Sequence, residues 1–303
     1  MFKLFTHNDL DGIGCAVLAK LAFGDKVDIT YCDYDSIDQE VKAYVDHPIA
    51  DECHITDIRI DEKLAEEINK KAISIQLLDH HPTALNLNKF SWCDVVIENS
   101  QGVKTSGTEL YYEWLVQTGY LHDEWEHRKF VEIVRDYDTW AWSTKGQFGI
   151  VSKKFNDLMY IYGRDKFVNW CIHNIKTKFY ELFSDQDELV LEIKQDEIDE
   201  YIIKKSNEVI KISLFGYTCG VVFADRFVSE LGNKLCLFDP ELDFVVMINM
   251  SDCSMSFRTV RNDIDLGKDI ASRFGGGGHP KAAGASFSRD LQMICIQEIM
   301  NLL

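Results

Sequence analysis

The chain has 303 residues, of which 46% are hydrophobic and 27% charged, which is typical of a globular protein with a full core. This composition excludes a disordered or fibrous protein, and no apolar run is long enough to predict a membrane-spanning helix or a signal peptide. The net charge is −18, so most of the surface would repel a long nucleic acid. The nine cysteines form no Cys-x-x-Cys pair, which predicts reduced thiols in a cytoplasmic protein.

Strand and helix patterns alternate over the first hundred residues. Short apolar runs predict strands at 2–5, 27–31, 53–55, 73–78 and 95–97. Helical spacing separates them, at 14–23, 41–44 and 64–71, and it continues at 108–116 and 127–134. Such alternation predicts an α/β domain with a parallel sheet.

The second part of the chain begins with an acidic segment. Residues 181–200 contain nine acids and one base, with apolar residues at roughly helical spacing, which predicts a solvated helix between two domains. Strand patterns return at 217–224, 243–250 and 253–257, and a helix-like stretch follows at 266–274. We therefore expect a second α/β domain at about 211–303.

Two acidic motifs follow predicted strands of the first domain. His7, Asp9 and Asp11 stand at alternate positions, so in extended backbone their side chains point the same way. Such a set either caps the following helix or binds a cation. Asp57 follows the third strand and, taken alone, would be read as a turn residue.

Two further motifs follow the strongest strand and a predicted helix. Asp79-His80-His81 offers two imidazoles in divergent directions, so that one can bind a metal and the other a substrate, while Asp79 orients an imidazole. The segment 135–140 contributes Asp136 and Asp138; taken alone, it would be an ordinary cap or turn.

Together, the four motifs point to a metal site. The carboxyl ends of parallel strands meet at one edge of a sheet, and the motifs supply more ligands than one metal needs. This set suits two divalent ions about 3.5–4 Å apart, which activate a water and clamp a phosphoryl oxygen. Carboxylates favour Mg²⁺ or Mn²⁺, and the added imidazoles shift the preference towards Mn²⁺, with iron or zinc as further candidates.

Four consecutive glycines at 275–278 precede His279-Pro280. A bare glycine run is usually a linker, but glycine also lets backbone amides approach an anion closely. The window 258–281 contains five bases and three acids. It therefore forms a local basic patch in an acidic chain.

The motifs resemble those of a known family. His7-x-Asp9-x-Asp11-Gly12, Asp57, Asp79-His80-His81 and Asp136 are similar, in order, to the four motifs of the DHH phosphoesterase superfamily. Residues 274–284 resemble the signature of its associated substrate-binding domain, and Ser256-Phe257-Arg258 resembles that domain's Ser-x-Arg element. The compact opening motif is most similar to the B-type branch of the nano-RNases, which degrade short RNA.

The resemblance implies a fold and a domain organisation. The fold is α/β, with an N-terminal parallel-sheet DHH catalytic domain at 1–180 that holds the metals. A helical linker at 181–210 leads to a smaller α/β substrate-binding domain at 211–303.

The resemblance also implies a role for each site residue. His7 and Asp9 would bind one metal, Asp11, His80 and Asp136 the other, and Asp57 would bridge both. His81 would face the scissile phosphate, and Asp79 would orient the imidazoles. Asp136 is preferred to Asp138 because the family's acid directly follows a helix and has an aromatic residue four positions on, here Trp140. The substrate-binding residues would be Arg258, Gly276, Gly277, Gly278, His279 and Lys281.

The implied activity is a two-metal hydrolysis of short RNA, of about two to five nucleotides, to nucleoside monophosphates. Two Mn²⁺ are expected as cofactors, with Mg²⁺ or another divalent cation as the alternative. Other enzyme readings are a linear or cyclic dinucleotide phosphodiesterase and a 3′-phosphoadenosine 5′-phosphate phosphatase, and the non-enzyme reading is a nucleotide-binding sensor. The expected partners are short single-stranded RNA or dinucleotides, without a membrane or a long duplex, and a homodimer is left open.

Overall fold

The computed structural model describes residues 1–71, 73–177 and 182–301. The chain divides into two compact units, Met1–Leu191 and Glu192–Leu303. Each unit contains its own β-sheet, and the predicted α/β class with a parallel N-terminal sheet is confirmed.

The first unit is built on five parallel strands. They are β1 (Phe2–His7), β2 (Val27–Cys32), β3 (Glu52–Thr56), β4 (Ile75–Asp79) and β5 (Cys93–Val95). Their order in the sheet is β2-β1-β3-β4-β5. The chain therefore places β2 on one side of β1, and then places β3, β4 and β5 on the other side of β1. This reversal opens a crevice at the carboxyl ends of β1 and β3, where open α/β sheets bind their ligands.

Seven helices surround this sheet in the described part of the first unit. They are α1 (Leu10–Phe23), α2 (Ile37–Asp46), α3 (Glu62–Ile68), α4 (Gly107–Gln117), α5 (Trp125–Asp138), α6 (Gln147–Tyr162) and α7 (Arg164–Thr177). One apolar core joins one face of the sheet to α1, α4, α5, α6 and α7, and the other joins the opposite face to α2 and α3. Helix α2 illustrates how a helix joins its core, because its buried residues form one apolar stripe that faces the sheet. They are Ile37, Val41, Tyr44 and Val45.

Helix α8 (Asp185–Ser206) crosses the boundary between the two units and covers most of the acidic segment predicted to be helical. The remaining elements are β6 (Ile210–Leu214), β7 (Tyr217–Phe223), α9 (Val228–Phe238), β8 (Phe244–Asn249), β9 (Ser254–Arg258), β10 (Gly277–Gly278), β11 (Ala282–Ser286) and α10 (Arg289–Asn301). The second sheet has the order β10-β11-β9-β8-β7-β6, in which only β7 and β8 run parallel.

Both faces of the second sheet are covered. Val245 and Met247 of β8 pack in a core with residues of α8 and α9, and their alternates Phe244 and Val246 pack in a second core, as the two-residue period of a strand requires. That second core includes the predicted helix-like stretch, which is a π-helical turn, Leu266–Ile270, followed by a 3₁₀ turn, Ala271–Phe274.

Several boundaries differ from those predicted. Helix α1 begins at Leu10, before the expected 14, and β5 lies at 93–95 instead of 95–97. Helix α5 continues to Asp138, a full turn beyond the expected 134, with consequences for the site. No helix within the described ranges has both the length and the apolar character needed to cross a bilayer.

Candidate active site

The first motif lies where β1 ends and α1 begins. Asp9 caps α1, because its Oδ1 accepts the Gly12 N–H at 3.1 Å. Its other oxygen, Oδ2, lies 3.0 Å from His7 Nδ1. Gly12 permits this turn, since a Cβ there would come within 2.1 Å of the His7 carbonyl oxygen. Helix capping and cation binding are therefore compatible for Asp9, because each would use a different oxygen.

Asp11 is buried in the first turn of α1, where the N-terminus of α4 holds it. Its Oδ2 accepts the Gly107 N–H at 2.6 Å, and its Oδ1 accepts the Thr108 N–H at 2.9 Å. Helix α4 is capped by Ser106, whose Oγ accepts the Glu109 N–H at 3.2 Å. The free amides and positive end of a helix stabilise a carboxylate. The sequence predicts this helix at 108–116 but not its contact with Asp11, and the Ser-x-x-Glu spacing is a helix-start signal that would have placed the N-terminus of α4 at Ser106.

Asp57, directly after β3, lies between the other motifs. Its Oδ1 is 3.2 Å from His80 Nε2, and its Oδ2 is 3.9 Å from His7 Nδ1. Its φ of 56° lies in the left-handed region, where a residue with a side chain is strained. A Cβ at Gly107 would come within 2.5 Å of the Asp57 Cβ, so α4 approaches this residue closely. The fold thus holds a strained, buried carboxylate whose two oxygens face different histidines.

Asp79 ends β4 and fixes the two histidines that follow it. Its Oδ1 accepts the His80 N–H at 2.8 Å and lies 2.8 Å from His81 Nδ1. His81 Nε2 then faces Tyr34, whose hydroxyl oxygen is 3.4 Å away. His80 Nε2 faces the carboxylate of Asp57 instead. The two imidazoles diverge, as the sequence predicts.

Asp138 joins the cluster, and Asp136 does not. Because α5 continues to Asp138, that residue's Oδ2 lies 3.6 Å from His80 Nε2. Asp136 lies two residues earlier, about 200° around the helix. Its two carboxylate oxygens accept hydrogen bonds from Lys145 Nζ at 2.7 and 2.6 Å. The preference for Asp136 assumed that the helix ends before it. The structure therefore places Asp138, the alternative named from the sequence, among the candidate ligands, and its role as a metal ligand stays a prediction.

Ligand-type atoms within 4.8 Å of one another form three groups in the described part of the chain. The groups are His7, Asp9 and Asp57; Asp11, His80 and Asp138; and Asp57, Asp79, His80 and His81. Asp57 and His80 each belong to two of them. The fold therefore brings together every residue that the sequence places near the metals, except Asp136.

The electrostatics of this cluster suit a divalent cation. Burial raises the pKa of Asp57 well above its ordinary value, and the charges of Asp11 and Asp9 raise it further. The pKa of Asp138 is raised by the same causes. Buried Asp57 Oδ2 and His80 Nε2 have no hydrogen-bond partner among the described residues, although such atoms are normally paired. Converging carboxylate oxygens and imidazole nitrogens are donors that fit Mn²⁺ or a similar ion.

The pKa values of the two neighbouring histidines are shifted in opposite directions. Burial lowers the pKa of His80, which favours the neutral imidazole that a metal ligand requires. Burial also opposes the charged form of His81, but the hydrogen bond and charge of Asp79, together with the charges of Asp11 and Asp9, outweigh it, so the pKa of His81 is raised. A positively charged His81 suits a contact with a phosphate oxygen.

We expect the affinity of the cluster for Mn²⁺ to increase with pH. The raised pKa values of Asp57 and Asp138 mean that these carboxyls hold protons where ordinary carboxyls are ionised. Cation binding needs the ionised forms and therefore releases protons. Titration calorimetry of Mn²⁺ binding, below and above neutral pH and in two buffers of different ionisation enthalpy, measures this release. A pH-independent affinity without proton release would contradict the expectation.

The residues predicted to bind substrate lie in the second unit. Arg258 ends β9, and its guanidinium donates to the Phe257 carbonyl at 2.9 Å and to Ser229 Oγ at 3.1 Å. Lys281 Nζ donates to two backbone carbonyls. His279 lies in the turn between β10 and β11, where its backbone N–H donates to the Ala282 carbonyl at 2.8 Å.

The glycine run is explained in part by packing. A Cβ at Gly276 would come within 2.0 Å of the Gly284 carbonyl oxygen, and one at Gly278, whose φ is 140°, within 2.6 Å of the Ala283 Cα. These two glycines therefore let their segment lie close against β11. Gly277 differs, because no described atom lies within 4 Å of a Cβ added there. An anion-binding role of this backbone stays a prediction.

The predicted basic window is partly neutralised by its neighbours. Arg261 forms ion pairs with Asp243 and Asp263, and Lys268 Nζ lies 3.2 Å from Asp265 Oδ2. The remaining bases of the window are Arg258, Arg273 and Lys281. A smaller positive patch is therefore left than the residue count suggests.

Several solved structures share this fold, and one of them is a DHH domain. The DHH domain of a protein described as a member of a ribosomal protein family matches with a TM-score of 0.63 and 13% identity, over 98% of this chain and 84% of that chain. Exonuclease RecJ bound to manganese matches with a TM-score of 0.62 and 13% identity, over 97% of this chain and 87% of that chain. The pGpG-specific phosphodiesterase PggH from Vibrio cholerae matches with a TM-score of 0.55 and 14% identity, over 100% of this chain and 98% of that chain. These likenesses show that the chain has the fold of a DHH domain.

A sequence relative narrows the assignment. No family model matches the chain. Oligoribonuclease NrnB of Bacillus subtilis is 34% identical over 309 residues, which cover 100% of this chain and 77% of that protein. The chain therefore belongs to the DHH phosphoesterase family, in the nano-RNase branch of oligoribonuclease NrnB.

Proposed function

We propose that this chain is a divalent-cation-dependent phosphodiesterase that hydrolyses short single-stranded RNA, of about two to five nucleotides, to nucleoside monophosphates. The carboxylate of Asp57 carries the proposal, because its two oxygens face His80 and His7, which belong to different ligand groups. A carboxylate shared in this way fits a pair of cations. The kinship with oligoribonuclease NrnB supports RNA as the substrate.

The ligand groups support one arrangement of the cations. His7 and Asp9 would hold one cation, Asp11, His80 and Asp138 the other, and Asp57 would bridge them. When bound, the cations would activate a water molecule and neutralise charge on the phosphoryl oxygens. The backbone amides of α4 fix Asp11 beforehand, so little reorganisation is needed during the reaction.

His81 would hold the scissile phosphate. Its Nδ1 is fixed by Asp79 at 2.8 Å, which leaves Nε2 as the atom that would donate a hydrogen bond to a phosphate oxygen. The raised pKa of His81 favours the doubly protonated imidazole that this donation requires. Loss of Asp79 would therefore misdirect the imidazole without removing it.

The far end of the substrate would be bound by the second unit. The proposal is supported by the positive charges there and by the open surface at Gly277. The proposed contacts are Arg258, His279, Lys281 and the backbone at Gly276, Gly277 and Gly278.

The nine cysteines are free thiols, which is in keeping with the cytoplasm as the proposed location.

Chelation tests the proposed function. We expect EDTA to abolish hydrolysis of a two-nucleotide RNA, and Mn²⁺ to restore it better than Mg²⁺, because imidazole ligands suit a hard, oxygen-seeking ion poorly. Product release is followed by chromatography, and bound metal by elemental analysis. Full activity in protein shown to contain no metal would refute the proposal. Tight binding of the dinucleotide without cleavage at any added metal would identify a nucleotide sensor instead.

A further inference from the structure

Tyr34 lies in the site, but the cation ligands and the phosphate contact leave its ring unused. It follows β2, and its ring centroid is 5.2 Å from that of His7, at an interplanar angle of 51°. The ring meets His81 edge-on, with centroids 6.3 Å apart at 89°. The residue is 50% exposed. An aromatic surface is therefore open to solvent directly beside two histidines of the cluster.

The loop that carries Tyr34 is tied to the first motif. Asn8 Nδ2 donates to Asp33 Oδ1 at 2.7 Å, so the residue between His7 and Asp9 anchors the residue before Tyr34. The Asp33 N–H donates to Ser36 Oγ at 3.0 Å, which closes a turn around Tyr34. The backbone of Tyr34 is thus fixed relative to the cluster.

The Tyr34 hydroxyl points towards the phosphate-binding histidine. Its oxygen lies 3.4 Å from His81 Nε2, the atom assigned above to the scissile phosphate. A phosphate bound by this nitrogen replaces the Tyr34 hydroxyl as its partner and lies beside the edge of the Tyr34 ring. The exposed part of the ring is then within reach of the nucleoside attached to that phosphate.

Building on the proposed function, we propose that Tyr34 is the surface on which the nucleobase next to the scissile phosphate stacks. A half-exposed ring that lies against the His7 ring on a fixed backbone is preorganised for such a contact. Every base has a π-face, so stacking binds nucleotides without selecting a sequence. Tyr34 would thereby restrict the site to nucleoside phosphates while accepting any base.

Binding of products isolates the stacking contact. With Mn²⁺-loaded protein, we expect calorimetry to show AMP binding about 5- to 150-fold more tightly than ribose 5-phosphate, the range that one stacked base supplies. Tyr34→Leu should bring the two dissociation constants to within about twofold, by weakening AMP alone. Tyr34→Phe should keep the preference for AMP, since it keeps the ring.

Tyr120→Leu is the matched control. Tyr120 donates a hydrogen bond to Glu52 at the start of β3, which is the end of the sheet opposite to the site. The Tyr120→Leu variant should therefore prefer AMP as strongly as the wild type does. Equal binding of AMP and ribose 5-phosphate by the wild type, or equal weakening of both by Tyr34→Leu, would overturn the inference. If the wild type does not cleave a two-nucleotide RNA but prefers AMP through Tyr34, the proposed hydrolysis fails and the stacking surface stands.

Discussion

Asp57→Asn is expected to lower kcat/KM on a two-nucleotide RNA by about 10³-fold or more, since the charge stabilisation that metal ions supply is worth several kcal/mol. The carboxylate of Asp57 reaches both ligand groups, and the amide offers them one neutral oxygen. Steady-state kinetics with saturating Mn²⁺ measures the loss. A variant within about tenfold of the wild type, or ~1.4 kcal/mol of barrier, would show that Asp57 does not bridge.

The same substitution should stabilise the metal-free protein at neutral pH. The pKa of Asp57 is raised in the folded state, so the fold favours its protonated form and is destabilised once pH exceeds the ordinary range of a carboxyl. Asparagine is neutral and accepts the left-handed backbone. Thermal melts should show a gain that shrinks as the pH falls, and the Mn²⁺-induced rise in melting temperature should be lost. A variant that melts lower at every pH would show damage to the fold instead.

Asp138→Asn and Asp136→Asn are expected to have opposite effects. Asp138 lies 3.6 Å from His80 Nε2, so its neutral variant should lose about 10²-fold or more of kcat/KM and bind less Mn²⁺. Asp136 accepts two hydrogen bonds from Lys145. Its variant should keep kcat/KM within about tenfold and instead lose about 1–3 kcal/mol of unfolding free energy.

The two variants control for each other, since they make the same chemical change two residues apart on one helix. Kinetics, metal content and chemical denaturation should be measured on both. A large kinetic loss in Asp136→Asn with normal activity in Asp138→Asn would restore the assignment made from the sequence.

The architecture of the first unit follows from local patterns in the sequence. Alternating strand and helix periods predict a parallel sheet, and in such a sheet polar residues at the carboxyl ends of β1, β3 and β4 lie along one edge. His7, Asp57 and Asp79 therefore come together without any knowledge of side-chain contacts.

The details of the site depend on tertiary contacts that local patterns do not contain. The Gly107 amide that holds Asp11 lies 96 positions away in the chain. The choice between Asp136 and Asp138 depended on where α5 ends, and polar residues continue the helix there without a Gly or Pro to stop it. Tyr34 has no motif of its own, and only the fold places it beside His81.

The product profile of the Mn²⁺-loaded protein on 5′-labelled RNAs of two to about twenty nucleotides tests the central claim most directly. We expect nucleoside monophosphates as products, and a kcat/KM that falls as the RNA lengthens beyond about five nucleotides. Each added phosphate meets a chain of net charge −18, and salt screens this repulsion beyond about 8–10 Å. The fall should therefore shrink at higher ionic strength. Equal or rising efficiency on the twenty-nucleotide RNA would contradict a short-RNA hydrolase and indicate a processive exonuclease.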